Sequence, residues 1–176
     1  MSEPPTLDVG ADPVAAVAAA VRTLSAGGVV VLPTETVYGV AALPSCRNAI
    51  EEVFRRKGRP PERLVAVLVA DGNQARALVE TDDRFERLAT AFWPGPLTVV
   101  GHRRSDGDDD LFLGDGATER GGATVGVRWP APDLVRAIAA EVCPMATTSA
   151  KRTGQPTPDS ASGAAASSVA EEDAEA

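Results

Sequence analysis

The sequence contains few of the residue types that build metal centres, disulfide frameworks and aromatic surfaces. Its 176 residues include two cysteines, one histidine and 4% aromatic residues. Cys46 and Cys143 lie far apart and lack CxxC or Cys/His spacing, so neither a zinc site nor a disulfide framework is expected. The histidine, His102, lies beside Arg103 and Arg104, which argues against a Ser-His-Asp relay. We therefore predict no metal-binding residues and no covalent nucleophile.

Long apolar runs are also absent. No run approaches the ~18 residues of a membrane helix, and the acidic, proline-rich N-terminus does not resemble a secretory signal. This pattern predicts a cytoplasmic protein without membrane contact. The net charge is −8, and four acidic residues within the last six supply half of it, which leaves −4 for the remainder. That balance argues against a broad nucleic-acid-coating surface, although a local basic cluster remains compatible with it.

Several common functional motifs are missing. The sequence contains no GxxxxGK[ST], no GxGxxG and no HExxH pattern, which excludes P-loop, dinucleotide-binding and zinc-protease interpretations. We expect any catalysis to depend on substrate positioning and on stabilisation of charge by fixed donors.

The segments that are present alternate between strand and helix patterns. Asp12 followed by proline predicts the start of a helix, Ser45 predicts the N-cap of a second helix that ends at Gly58, and Asp71 with Gln74 resembles a capping box. Further helices are predicted from Asp83 to about Trp93 and over residues 132–141. The predicted strands are residues 28–32, 64–70, 97–101, 124–129 and 144–148. Such interleaving indicates one domain with a largely α/β open sheet.

Residues 103–122 are charged and rich in glycine. We interpret them as a long connection, with a mobile lid as a further hypothesis. After Lys151 the composition shifts to proline, glycine, serine and alanine, and the last residues predict either a weak helix or a disordered acidic tail.

The segment VVVLPTETVYGV begins as a buried strand and ends as a row of hydroxyl groups. In open α/β sheets, ligands bind beyond strand ends, where loops diverge. Its proline ends strand pairing, so Thr34, Glu35, Thr36 and Tyr38 can present polar groups to a small ligand. The alternative is an ordinary strand-to-turn junction in which Tyr38 packs in the core.

A basic cluster follows the second predicted helix. Gly58 allows the chain to turn there, so that Lys57 and Arg59 can point at one polyanion, and an ammonium with a guanidinium suits phosphate. Alternatively, these cations only stabilise the helix C-terminus through the backbone dipole.

Two later segments add polar candidates. TTSAKRTGQP, which begins at Thr147, is a strand followed by a hydroxyl-rich basic loop suited to phosphate, or else a solvated turn. TVGVRWP contains Thr124 and Arg128. If Arg128 ends in a cleft, it suits a carboxylate, and otherwise it is a surface arginine.

Taken in order, the segments LPTETVYGV, KGRP, WPGPLTVV, TVGVRWP and TSAKRTGQPTP closely resemble the YrdC family of threonylcarbamoyl-adenylate synthases. The resemblance spans residues 13–165, which leaves residues 1–12 as a flexible N-terminus and residues 166–176 as an acidic tail expected to be disordered. It implies an α/β fold: a single-domain, twisted, open mixed sheet with flanking helices and a deep, positively lined cleft.

Membership of this family would imply a reaction. Such enzymes combine L-threonine, bicarbonate and ATP into threonylcarbamoyl-AMP and pyrophosphate, the first step towards threonylcarbamoyladenosine in tRNA. The carbamate of threonine is the nucleophile, so the protein needs anion-binding groups and a Mg²⁺ ion held mainly by the phosphates. Expected partners are the downstream tRNA threonylcarbamoyl-transferase machinery and a contact with tRNA or double-stranded RNA.

The resemblance also implies roles for eleven residues. The expected catalytic residues, which also bind ATP, are Lys57 and Arg59. The other expected ATP-binding residues are Thr124, Ser149 and Thr157. The expected threonine-binding residues are Thr36, Arg128 and Thr147. The residues assigned to the motif wall without a definite role are Thr34, Tyr38 and Lys151.

The sequence departs from the family in two places. Lys151 stands where the family's serine-any-asparagine element has an amide, so a group that donates and accepts is replaced by one that only donates. The family's later strands, with a serine-threonine pair and an arginine-proline-glycine element, are expected to be missing. Their absence is compatible with an impaired enzyme, with a missing wall supplied by a partner, or with a damaged reading frame. One alternative is a non-catalytic nucleotide- or RNA-binding module of the same fold, although acidity and few aromatics argue against strong RNA affinity. Another is a carbamoyl-transfer domain.

Overall fold

A mixed six-stranded sheet with helices on both faces forms the protein. The computed structural model describes residues 5–58, 60, 63–105, 111–114, 124–142, 144–151 and 154–168. The strands are β1 (Val30–Leu32), β2 (Gly39–Ala42), β3 (Ala66–Leu68), β4 (Val99–His102), β5 (Thr124–Arg128) and β6 (Met145–Ser149). The helices are α1 (Pro13–Ser25), α2 (Arg47–Lys57), α3 (Gly72–Leu78), α4 (Asp83–Phe92), α5 (Asp133–Val142) and α6 (Ala161–Ser168).

The strand order is β1-β2-β6-β3-β5-β4. Strands β3 and β5 pair in parallel, whereas the other neighbouring strands are antiparallel. The predicted open, mixed α/β sheet is therefore confirmed. None of the helices in the described part of the chain is both long and apolar enough to cross a membrane.

Strand β2 was not predicted. It pairs with β1 in antiparallel register, Leu32 opposite Gly39, so residues 33–38 are the loop of a hairpin. They do not lead from a strand towards a helix. The segment Gly39–Ala42 is short and contains glycine and alanine, which are depleted in strands. It is a strand because β1 and β6 flank it and all four of its residues are buried.

The predicted helix starts are confirmed in two cases and wrong in one. The Asp12 side chain accepts a hydrogen bond from Ala15 N at 2.9 Å, and Asp71 accepts from Gln74 N at 2.9 Å. The second helix, however, begins one residue later than predicted. Cys46 is its N-cap and makes no side-chain hydrogen bond, so Ser45 does not cap it. The predicted stop is confirmed, because Gly58 adopts the left-handed conformation with φ 56°.

Alternating strand residues build two hydrophobic cores. The larger core contains Val40, Val67 and Val127 and packs against residues of α2, including Ile50 and Phe54. The core on the opposite face contains residues of α1 and α5 packed against the sheet, namely Leu24, Leu32, Leu68, Val135, Ile138 and Met145. Among the described residues, helices α1 and α5 pack over one part of that second face, and Leu68 of this core also borders a cavity beside them.

The predicted long connection, residues 103–122, includes a segment that is packed against the domain. Residues 106–110 and 115–123 lie outside the described residues. Between them, Leu111 and Leu113 are buried in the larger core, and Leu113 O accepts a hydrogen bond from Val65 N at 3.1 Å. Residues 111–114 are thus packed against the domain, contrary to the mobile-lid hypothesis. Helix α6 spans Ala161–Ser168, and Ala164 is buried in the same core.

Candidate functional site

A cavity of about 280 Å³ borders Leu68 of the second core. This volume is at the small end of ligand pockets, which run to ~300–1,000 Å³. Its hydroxyl-bearing and charged lining residues are Thr34, Thr36, Thr98, Arg128, Thr147, Thr148 and Ser149. The remaining lining residues are apolar or glycine, namely Val37, Gly39, Leu64, Val65, Ala66 and Leu68. Five of the residues proposed from sequence therefore line one cavity: Thr34, Thr36, Arg128, Thr147 and Ser149.

The hairpin loop is held by its own hydroxyl groups. Thr34 Oγ1 donates a hydrogen bond to Val37 O at 2.6 Å and accepts from the backbone N–H groups of Thr36 and Val37 at 3.3 and 3.2 Å. Threonine hydroxyls commonly close turns in this way. Thr36 Oγ1 lies 3.0 Å from Thr34 Oγ1. The loop thus presents two adjacent hydroxyls to the cavity.

Arg128 extends from the end of β5 into the same corner. Its guanidinium donates from Nε to Gly95 O at 3.2 Å and from Nη1 to Thr36 Oγ1 at 3.2 Å. Nη2 lies 2.8 Å from Glu35 Oε2 in an ion pair, with 12% of the Arg128 side chain and 20% of the Glu35 side chain exposed. The hairpin loop and the segment containing Gly95 therefore fix the guanidinium beside the cavity.

Glu35 completes this arrangement from behind the cavity wall. Its Oε1 accepts a hydrogen bond from Ala131 N at 3.1 Å. Burial acts to raise the pKa of the Glu35 carboxyl. The hydrogen bonds from Arg128 and from backbone N–H groups, with the charge of Arg128, outweigh burial and hold the pKa below its ordinary 4.5. Glu35 is therefore ionised at neutral pH and offsets the charge of Arg128.

The floor of the cavity requires a glycine. A Cβ added to Gly39 would lie 3.0 Å from Thr147 Oγ1, which itself donates to Val40 O at 3.1 Å. Because Gly39 also lines the cavity, a side chain at this position would both crowd Thr147 and occupy ligand space.

Lys57 lies next to the cavity without lining it. Only 4% of this residue is exposed, and its Nζ donates to the backbone oxygens of Ser149 and Lys151, the latter at 2.7 Å. The hydroxyl of Ser149, which lines the cavity, is 3.3 Å from the same ammonium. The C-terminus of α2 and the end of β6 thus lie in contact at Ser149. Through Ser149, the Lys57 ammonium lies next to the hydroxyl-lined cavity.

The remaining proposed residues lie elsewhere. Thr124 and Thr157 are exposed and are not among the described residues that line the cavity. Tyr38 lines a second hollow of about 810 Å³, which is also lined by the residues of β1. Lys151 meets Lys57 only through its backbone oxygen in the contacts described above. Arg59 lies outside the described residues.

Sequence reasoning assigned no role to two hydroxyl-bearing lining residues, Thr98 and Thr148, to Gly39 or to the apolar lining residues, and it gave Glu35 no individual role. Signals for them exist. Gly39 and Thr98 fall within the segments VYGV and WPGPLTVV, and Thr148 follows Thr147 directly. The pairing of Gly39 with Ser149 across β2 and β6 brings the segments of Gly39 and Thr148 together, and one-dimensional spacing does not show it.

Comparisons with known proteins agree with this architecture. A family model covering Sua5, YciO and YrdC, described as telomere recombination, matches residues 22–173. A threonylcarbamoyl-AMP synthase of Pyrococcus abyssi is 37% identical over 137 residues, covering 77% of this chain and 38% of that protein. One from Bacillus subtilis is 35% identical over 147 residues, covering 82% of this chain and 41% of that protein.

A solved structure gives the same result. The crystal structure of P. abyssi Sua5 complexed with L-threonine superposes with a TM-score of 0.74 at 33% identity, over 86% of this chain and 43% of that chain. The chain thus spans about two fifths of the length of these relatives.

Proposed function

The chain belongs to the Sua5, YciO and YrdC family, and on that premise we propose that it synthesises L-threonylcarbamoyladenylate from L-threonine, bicarbonate and ATP, releasing pyrophosphate. The observation that carries the proposal is the shared corner at Ser149. There, a small hydroxyl-lined cavity holding Arg128 adjoins the buried ammonium of Lys57. The threonine-bound relative with the same fold supports an amino acid as the occupant.

In the proposed reaction, the cavity binds threonine. Arg128 supplies donors for its carboxylate, as charge-assisted hydrogen bonds to carboxylates are strong, and the hydroxyl groups of Thr36 and Thr147 contact the substrate. The amine of threonine combines with bicarbonate to give a carbamate and water. A carbamate oxygen then attacks the α-phosphorus of ATP, the bond to the bridging oxygen breaks, and pyrophosphate leaves. No protein nucleophile is required.

The phosphate-binding side of the proposal centres on Lys57. Its ammonium is held at the C-terminus of α2 by the oxygens of the loop after β6. There it can stabilise the negative charge that develops on the transferred phosphate. In this proposal Arg59, Ser149, Thr124 and Thr157 also contact ATP, and Lys151 takes the place of the family's amide.

The metal in this proposal comes with the nucleotide. The described residues include no group of three histidine, cysteine or acidic side chains able to hold an ion. In this proposal Mg²⁺ is held mainly by the ATP phosphates, as it commonly is. We further propose that the product serves tRNA threonylcarbamoyladenosine synthesis through a downstream transferase, with tRNA as the final acceptor.

An omission experiment tests the reaction. The full chain is incubated with ATP, Mg²⁺, bicarbonate and L-threonine, and pyrophosphate is measured, with parallel reactions that lack threonine or bicarbonate. We expect release to require both. ATP or RNA binding without turnover would instead identify a non-catalytic module, and threonine-independent release would identify simple ATP hydrolysis.

A further inference from the structure

Both carboxylate oxygens of Glu35 have partners on other segments of the chain. One oxygen pairs with Arg128 Nη2 at 2.8 Å and the other accepts from Ala131 N at 3.1 Å. The side chain is mostly buried, yet it does not line the cavity. Glu35 therefore holds the hairpin loop, the end of β5 and the segment leading to α5 in one arrangement, without itself reaching a ligand in the cavity.

The hydrogens in this cluster can be assigned. Arginine only donates, so the contact at 3.2 Å makes Thr36 Oγ1 the acceptor of an Arg128 hydrogen. The single hydroxyl hydrogen of Thr34 is used on Val37 O at 2.6 Å. Two backbone N–H groups already point at Thr34 Oγ1. In the 3.0 Å contact between the two hydroxyl groups, Thr36 is therefore the donor, so its hydrogen faces Thr34 and its oxygen accepts from Arg128.

We propose that Glu35 is a positioning residue for the amino-acid substrate, which fixes the Arg128 guanidinium and, through Arg128, the Thr36 hydroxyl beside the cavity. This inference rests on the proposed function. Recognition of the substrate's oxygens then depends on the fixed direction of the Arg128 N–H groups, since Glu35 offsets the positive charge of Arg128.

The substitution Glu35→Gln distinguishes an effect of side-chain orientation on threonine binding from an effect of net charge. In Glu35→Gln the cluster becomes more positive by one charge, so a site that depended on charge alone would bind the threonine carboxylate more tightly. If orientation matters, binding weakens, because the amide has one acceptor oxygen and can satisfy either Arg128 Nη2 or Ala131 N, so the link that fixes the guanidinium is broken in either case. Hydrogen bonds involving charged groups contribute ~1.5–3 kcal/mol, which corresponds to a loss of about tenfold or more.

Steady-state pyrophosphate release by the full chain tests this. For Glu35→Gln we expect KM for threonine to rise about tenfold, with KM for ATP close to that of wild type. Glu51→Gln is the matched control, because it removes the same charge from an exposed pair with Arg47 on α2; both of its constants should stay at the wild-type values. Thermal melting of each variant checks that it folds.

A double-variant cycle shows whether Glu35 acts through Thr36. Thr36→Val alone should raise KM for threonine, and adding Glu35→Gln should raise it little further, because interacting residues are not additive. The positioning role would be overturned if KM for threonine in Glu35→Gln were unchanged or lower than in wild type. It would also be overturned if KM for ATP rose by the same factor, or if the effects of the two substitutions were strictly additive.

Direct binding separates this inference from the reaction itself. If the wild-type chain releases no pyrophosphate, the proposed function fails, and calorimetry with L-threonine then decides the role of Glu35. Weaker threonine binding by a folded Glu35→Gln variant supports it. Equal affinity in the two proteins, or no binding by wild type, overturns it.

Discussion

At the scale of single residues, the charge of Lys57 should matter more than its bulk. The proposed function gives this ammonium the role of stabilising charge on the transferred phosphate. Lys57→Ala should lose ~3 kcal/mol of transition-state stabilisation, a fall of about two orders of magnitude in kcat/KM, as loss of one preorganised donor often does. Lys57→Met should lose as much while keeping the apolar stem packed.

The control for this prediction is a cationic residue in the last turn of another helix. Arg22 also lies in the last turn of a helix, α1, and is exposed. Arg22→Ala should leave kcat/KM within twofold of wild type, which is about the effect of a surface change. Full turnover in Lys57→Met would remove Lys57 from the proposed catalytic machinery.

Gly39 gives a second prediction at this scale. Gly39→Ala should abolish measurable threonine binding, because the methyl group enters the cavity 3.0 Å from Thr147 Oγ1. Crowding should also cost about 1–3 kcal/mol in the free energy of unfolding. Adding Thr147→Ala relieves the contact, so it should restore part of the stability without restoring binding. Calorimetry and urea unfolding measure the two effects, and wild-type threonine affinity in Gly39→Ala would contradict the location of the site.

At the scale of elements, the end of α2 determines where Lys57 points. Gly58 has φ 56°, and a Cβ added there meets no atom within 4 Å. The cost of Gly58→Ala is therefore one of backbone conformation only, roughly 1–2 kcal/mol in the free energy of unfolding. Gly58→Asn should cost less, since asparagine tolerates this conformation better. Urea unfolding of the two variants checks the order, and equal costs would show that the conformation does not matter.

Element types were predictable here wherever the signal was local. Asp12 before a proline, and Gly58 after an amphipathic run, satisfy backbone groups within one turn, so sequence alone identifies them. Gln74 shows where this fails. Its Oε1 accepts from Ala70 N at 2.8 Å and its Nε2 donates to Ala139 O at 3.3 Å, so it links α3 to α5 instead of closing a reciprocal box with Asp71.

The same distinction applies to the site. Thr34 and Thr36 were identifiable because a row of hydroxyls after an apolar strand is unusual. Strand β2 was not identifiable, because its glycine and alanine residues form a strand only where β1 and β6 pair with them on both sides. The burial of Leu111 and Leu113 likewise depends on contacts with core residues that are distant in sequence. The charged, glycine-rich residues around them give no indication of that burial.

At the scale of the whole molecule, acid should weaken the fold partly through the Glu35 cluster. The pKa of the folded-state Glu35 carboxyl lies below its ordinary 4.5, despite burial, because Arg128 and backbone N–H groups hydrogen-bond to it. A carboxyl with a lowered folded-state pKa stabilises the fold at pH values above its unfolded pKa. That contribution is lost as the pH falls through the folded pKa.

Glu35→Gln should therefore reduce the acid dependence of stability. The free energy of unfolding of wild type should decline from neutral pH to about pH 3, with contributions also from Glu52 and Glu86, whose pKa values are lowered by hydrogen bonds from Arg55 and Arg76. The variant, having no carboxyl at residue 35, should be less stable at neutral pH and should converge with wild type in acid. Urea unfolding across this range measures the difference. A constant gap between the two proteins would mean that Glu35 supports the fold through its shape and not through the ionised pair with Arg128 on which substrate positioning depends.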